Sequence, residues 1–224
     1  MIIDQEEIVM KANQNQHLVL NIYKKLPCEK LSLPIDIHFV IRQIPNCKTI
    51  SYQEFAMRHN ISLEQVVKFM ESKDASVLYY ALTDQFLIIY NCPEERKYEK
   101  CTGRILFTLA HEVGHIYLKH HELLRDNPKL KNNKKLFKIM DLEADNFAGT
   151  LLCPFPVLKA LNVRSAEQIR SLCGVSTQCS NYRAEQYYKW LCNCKPNDID
   201  NEIIKLFENF IKRTTSRQRI YSFT

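Results

Sequence analysis

Two imidazoles and a carboxylate stand close together in the chain at His111, Glu112 and His115. In an α-helix, residues four apart face the same way with Cβ atoms about 5–6 Å apart, so His111 and His115 can aim at one ion. Such a nitrogen pair suits Zn2+. Glu112 stands beside the pair, where its carboxylate can take a proton from an attacking water as a general base. Gly114 lies in the same stretch although glycine costs about 1 kcal/mol inside a helix, which implies that another element approaches closely there.

A catalytic zinc takes a third protein ligand and keeps one position open. His121 has the spacing of a third histidine in the extended HExxHxxGxxH pattern, but that pattern needs a glycine where this chain has Leu118. The second route is an acidic residue on another helix, and DLEADNFAG (141–149) supplies Asp141, Glu143 and Asp145. Asp141 and Asp145 share a face at i and i+4, so one can bind the ion while the other holds a ligand histidine. Glu143 is rotated about 200° from Asp141, so only one of these two readily ligates. His120 reads as a surface residue at a helix C-terminus, interacting with the dipole. Cys173, Cys179, Cys192 and Cys194 suggest a second zinc site only weakly, because the CxC spacing is not the usual CxxC knuckle. Tyr79, Tyr80 and Tyr90 read as strand packing.

The elements that must carry these residues follow from periodicity. Over 102–121, Ile105, Leu109, Val113 and Ile116 recur at helical spacing and give a core stripe away from the histidines. A polar, basic loop to about 135 follows, then a helix over 136–152 with Phe137, Met140, Ala144, Phe147, Ala148 and Leu151 on its apolar side, ended by Pro154. Before the histidines, 76–82 and 86–91 are β-branched and aromatic runs separated by Thr83, Asp84 and Gln85, which predicts an antiparallel hairpin whose edge can hold an extended peptide. The 51–72 segment predicts a helical hairpin in which Ser62 caps the second helix and Gln65 completes a capping box. It has the look of a helix-turn-helix, but without a dense Arg/Lys cluster direct nucleic-acid binding is not favoured. An amphipathic helix over 4–26 stops before Pro27, and 35–44 reads as a helix with a strand as the alternative.

Four glycines in 224 residues are too few for a sandwich or barrel, so the composition predicts an α+β, mainly helical fold with a small antiparallel sheet. The acidic start MIIDQEEIVM does not read as a signal peptide, no apolar run reaches the ~20 residues that span a bilayer, and nine scattered cysteines fit reduced thiols. The expected location is cytoplasmic, without a membrane partner. Part of the net charge of +6 comes from KLKNNKKLFK (129–138), read as a solvated loop.

At Arg104, FTLAHEVGH (107–115), DLEADNFAG (141–149) and LLCP (151–154) the chain resembles the ImmA/IrrE family of metallopeptidases. The family pattern is an Arg and an FT-like run before HExxH, then ExxA(N/D)xFA and an apolar run ending in Pro. The likeness covers roughly 75–155. It implies a thermolysin-like zincin core over 1–155, a helical C-terminal region over 156–224, and a cytoplasmic zinc endopeptidase. The implied substrate is a regulatory protein such as a helix-turn-helix repressor, in the setting of a mobile element or stress response. The metal ligands carried over are His111, His115 and Asp141, with Glu112 as the catalytic base. The family has Glu where this chain has Asp141; aspartate is one methylene shorter, so its helix must come closer, or Glu143 must substitute after a local rotation. The other reading is a DNA-associated or repressor-binding regulator whose metal site is structural or vestigial.

Overall fold

A computed structural model describes residues 5–91, 103–193, 195 and 197–221, and for 5–13 and 217–221 the backbone alone. In chain order the helices are α1 (Gln5–Lys25), α2 (Ile37–Arg42), α3 (Tyr52–His59), α4 (Leu63–Met70), α5 (Gly103–Tyr117) and α6 (His120–Asp126). They continue with α7 (Lys134–Leu152), α8 (Phe155–Ala160), α9 (Ala166–Cys173), α10 (Thr177–Asn193), α11 (Asp198–Leu206) and α12 (Glu208–Tyr221). Three strands, β1 (Cys47–Ser51), β2 (Ala75–Tyr80) and β3 (Gln85–Tyr90), form one sheet in the order β1-β3-β2. The protein is thus mainly helical with a small sheet.

The sheet is mixed, which corrects the antiparallel expectation. β2 and β3 form the antiparallel hairpin, but β1 joins β3 in parallel, Thr49 opposite Ile88 and Ile50 opposite Ile89. The short CKTIS run has only Ile50 as a large apolar residue, too little alternation to declare a strand by itself. Its place is decided by β3, which buries Ile88 and Ile89 and needs a partner on its second edge. The 35–44 segment is helical, as α2.

The contacts divide the chain into two units, 37–148 and 1–36 with 149–224. The N-terminal helix α1 is grouped with the C-terminal helices.

In the 37–148 unit, side chains of β3 alternate between two faces. Leu87 and Ile89 join Ile50, Phe55, Ala56, Val66 and Met70 in the cluster under α3 and α4. The cap of α4 forms as expected, Ser62 Oγ accepting from the Gln65 N–H and Gln65 Oε1 from the Ser62 N–H. On the opposite face Phe86 stacks on Tyr79, their ring centroids 4.9 Å apart. Helix α5 packs against β2 and β3 through a buried side that includes Leu106, Leu109, Val113 and Ile116.

The helix expected over 102–121 is two helices. Thr102 lies outside the described residues; α5 ends at Tyr117, and Lys119 takes a left-handed conformation (φ 59°, ψ 30°) before α6 starts at His120. The loop expected up to about 135 is mostly α6 and a 3-10 turn, Pro128–Asn132, and its lysines are exposed as expected.

The unit of 1–36 and 149–224 is helical. Tyr23 packs edge-on against Phe207 with centroids 5.0 Å apart and donates to the Leu151 carbonyl at 2.6 Å. Cys153 is hydrogen bonded to Cys173 and Cys179 beside the buried Arg183, whose guanidinium lies over the Phe155 ring. None of the cysteines among the described residues is held in a disulfide, and Cys194 lies outside them. No helix among the described residues is long and apolar enough to cross a membrane.

Candidate metal centre

His111 and His115 stand one turn apart on α5, and their Nε2 atoms face each other at 3.0 Å. Asp141, on the first half of α7, brings Oδ1 to 3.7 Å from His115 Nε2. The three ligand atoms lie within 4.8 Å of one another, the one such group of His, Cys, Asp or Glu found among the described residues. Two nitrogens bound to one tetrahedral ion at about 2.0–2.1 Å lie about 3.3 Å apart, so the observed spacing is close to that of a chelating pair.

The approach of α7 to α5 explains how an aspartate reaches the histidines. Gly114 sits at the crossing: a Cβ there would stand 3.1 Å from the Ala144 Cα and from Phe147 Cδ1, and 3.2 Å from the Ala144 oxygen. Glycine on one helix and alanine on the other let the backbones nearly touch, which brings the short Asp141 side chain within reach of His115. Gly114→Ala is expected to push α7 away by a few tenths of an ångström. Overpacking of about 1–3 kcal/mol outweighs the ~1 kcal/mol gained in helix propensity. A lower Tm together with at least tenfold weaker metal binding is the expected result; an unchanged affinity would show that the crossing does not set the reach of Asp141.

The far side of each imidazole is also held. His111 Nδ1 lies 2.8 Å from Asp145 Oδ1, the arrangement in which a ligand histidine donates its other N–H to a carboxylate. His115 Nδ1 lies 2.8 Å from His120 Nδ1, and His120 Nε2 lies 3.1 Å from Glu143 Oε2. This corrects the expectation for His120. It is buried, 4% exposed, because the left-handed turn at Lys119 starts a new helix and turns the side chain inward. No sequence motif marks that turn, since lysine seldom adopts positive φ. Glu143 faces His120 and is not one of the three convergent residues.

His121 is also outside the convergent group. Its ring centroid is 6.4 Å from that of His115, and it lies against Tyr79 and Phe86. The Tyr79 hydroxyl accepts from Arg125 Nη1 and donates to Asp84, so it is engaged in packing and surface hydrogen bonds.

Glu112 is 7% exposed and accepts a hydrogen bond from the Val77 N–H of β2. Burial, reinforced by the Asp141 charge, pushes its carboxyl up to about 7, against the pull of His111 and of the Val77 N–H. Burial and then the neighbouring His111, His120 and His121 bring His115 down to about 3. Burial opposes charge on His111 too, but the hydrogen bond with Asp145 and the carboxylates of Glu112, Asp145 and Asp141 outweigh it and raise its pKa. At neutral pH His115 therefore offers a lone pair, and Glu112 is poised to gain or lose a proton. Compared with known proteins, the chain matches no family model and no curated sequence.

Proposed function

We propose that the protein is a cytoplasmic zinc-dependent endopeptidase of the ImmA/IrrE type, with a thermolysin-like catalytic core and a regulatory protein such as a helix-turn-helix repressor as substrate. The observation that carries this reading is the convergence of His111, His115 and Asp141 in one place, with a buried carboxyl, Glu112, adjoining it on the same helix. Two imidazole nitrogens and one carboxylate oxygen, the convergent group found among the described residues, make up the donor set of a catalytic zinc site.

His111, His115 and Asp141 would hold the ion. Zinc bound there supplies Lewis acidity toward the scissile carbonyl and lowers the pKa of water. Glu112 takes the proton from the attacking water and delivers it to the leaving amine, a task suited to a group that titrates near neutrality. β2 is an edge strand of the sheet and already offers the Val77 N–H to Glu112, so an extended peptide laid along it would pass beside the base.

The test is whether the purified protein binds one zinc per chain and cuts a repressor encoded beside it. Cleavage should stop on chelation and return with zinc. A chain that binds no zinc at micromolar concentration would remove the basis of the proposal. Salt-dependent DNA binding that survives zinc removal, with no cleavage, would instead favour the regulator built on the α3–α4 hairpin.

A further inference from the structure

We propose that Glu143 and His120 form a buried relay that holds His115 in its metal-binding tautomer and strengthens its donation, making both positioning residues. The inference rests on reading His111, His115 and Asp141 as the metal ligands.

With Glu143 ionised and His120 neutral, the two contacts take one direction. An ionised carboxylate only accepts, so at the 3.1 Å contact His120 Nε2 carries the hydrogen and donates to Glu143. In a neutral imidazole the other nitrogen then has only a lone pair, so His120 Nδ1 accepts across the 2.8 Å contact and His115 Nδ1 is the donor. His115 is left with its Nε2 lone pair facing His111 Nε2 and Asp141. The two imidazoles cross at 69° with centroids 4.9 Å apart, which fixes the plane of His115 as well as its tautomer.

The supports of the two ligand histidines are unlike. His111 is held directly by Asp145, whose side chain is 47% exposed, so water can replace that carboxylate as an acceptor. His115 is held by His120, whose side chain is 5% exposed, and only through it by Glu143. Water has little access there, so a broken relay leaves a buried nitrogen without a partner. The relay exists because α5 stops. On an unbroken helix, residues five apart lie about 140° around the axis, and His120 would face away from His115.

The experiment is a zinc competition titration of the full chain against a chromophoric chelator. Variants are Glu143→Gln, His120→Leu, the two combined, and His120→Asn, whose amide oxygen can still accept from His115. Far-UV circular dichroism checks the fold of each. Glu143→Gln and His120→Leu are each expected to weaken zinc binding about 10- to 100-fold. The double variant should be no weaker than His120→Leu alone, because Glu143 acts through His120, and His120→Asn should recover part of the loss.

Equal affinities in wild type and Glu143→Gln, or losses that multiply in the double variant, would overturn the relay while leaving the metal site in place. A changed cobalt(II) d–d spectrum in Glu143→Gln at saturating cobalt(II) would also overturn it, because Glu143 would then be a ligand. A wild-type chain that binds no zinc would overturn the metal site and the relay together.

Discussion

Replacing Asp141 with alanine should abolish stoichiometric zinc binding, while Glu143→Ala keeps one zinc per chain at micromolar concentration. Asp141 is the carboxylate that converges with His111 and His115, and Glu143 is engaged with His120. Without Asp141, two protein ligands remain, and the loss should exceed the about 100-fold upper end for residues acting behind the ligands. Metal content after gel filtration, with a competition titration, measures both variants. Asp145→Ala should lose no more affinity than Glu143→Ala, since Asp145 is half exposed and water can replace it as the acceptor behind His111. Zinc retained in Asp141→Ala and lost in Glu143→Ala would exchange the two roles.

Glu112→Gln should lower peptidase activity by about a thousandfold, within the usual range for a general base, with zinc content unchanged. The same substitution should stabilise the metal-free protein at pH 8. The Glu112 carboxyl titrates near about 7 in the folded protein against 4.5 for the free group, chiefly because it is buried. Between those values the folded state holds more protons than the unfolded state, so wild-type stability falls as pH rises from about 4.5 to about 7. Glutamine has no proton to lose. The difference between the proteins should therefore be near zero below the lower value and reach on the order of 3 kcal/mol above the upper one. Denaturant unfolding of both metal-free proteins at pH 5 and pH 8 gives the comparison. An equal difference at the two pH values would mean that Glu112 does not carry this charge, and its role as the base would lose support.

The two effects have one origin. A carboxyl kept buried against β2 is costly when ionised, and that cost is what brings its proton exchange into the neutral range. Gly114 is related, because it weakens α5 locally but admits α7 close enough for Asp141 to approach His115.

Local chemistry was enough to read His111, Glu112 and His115 from the chain, because i, i+4 spacing fixes direction on any helix. It was also enough for the hairpin of β2 and β3, for the Ser62 cap, and for Asp141 and Asp145 sharing a face of α7, each set by neighbours a few residues away. The parallel pairing of β1 was not legible, since its strand character comes from an edge of β3 that lies nearly 40 residues later. The joining of 1–36 with 149–224 is a matter of long-range packing, to which periodicity within one helix is blind.

The candidate site itself divides along the same line. Sequence determined which three residues on α5 can do chemistry and narrowed the third ligand to one acidic stretch. Only the tertiary structure decided that Asp141 converges with the histidines, that Glu143 turns to His120, and that His120 is buried at all. The physical reasons are the Gly114–Ala144 crossing, which sets how near α7 comes, and the left-handed turn at Lys119, which no glycine announces and which starts α6 with His120 buried.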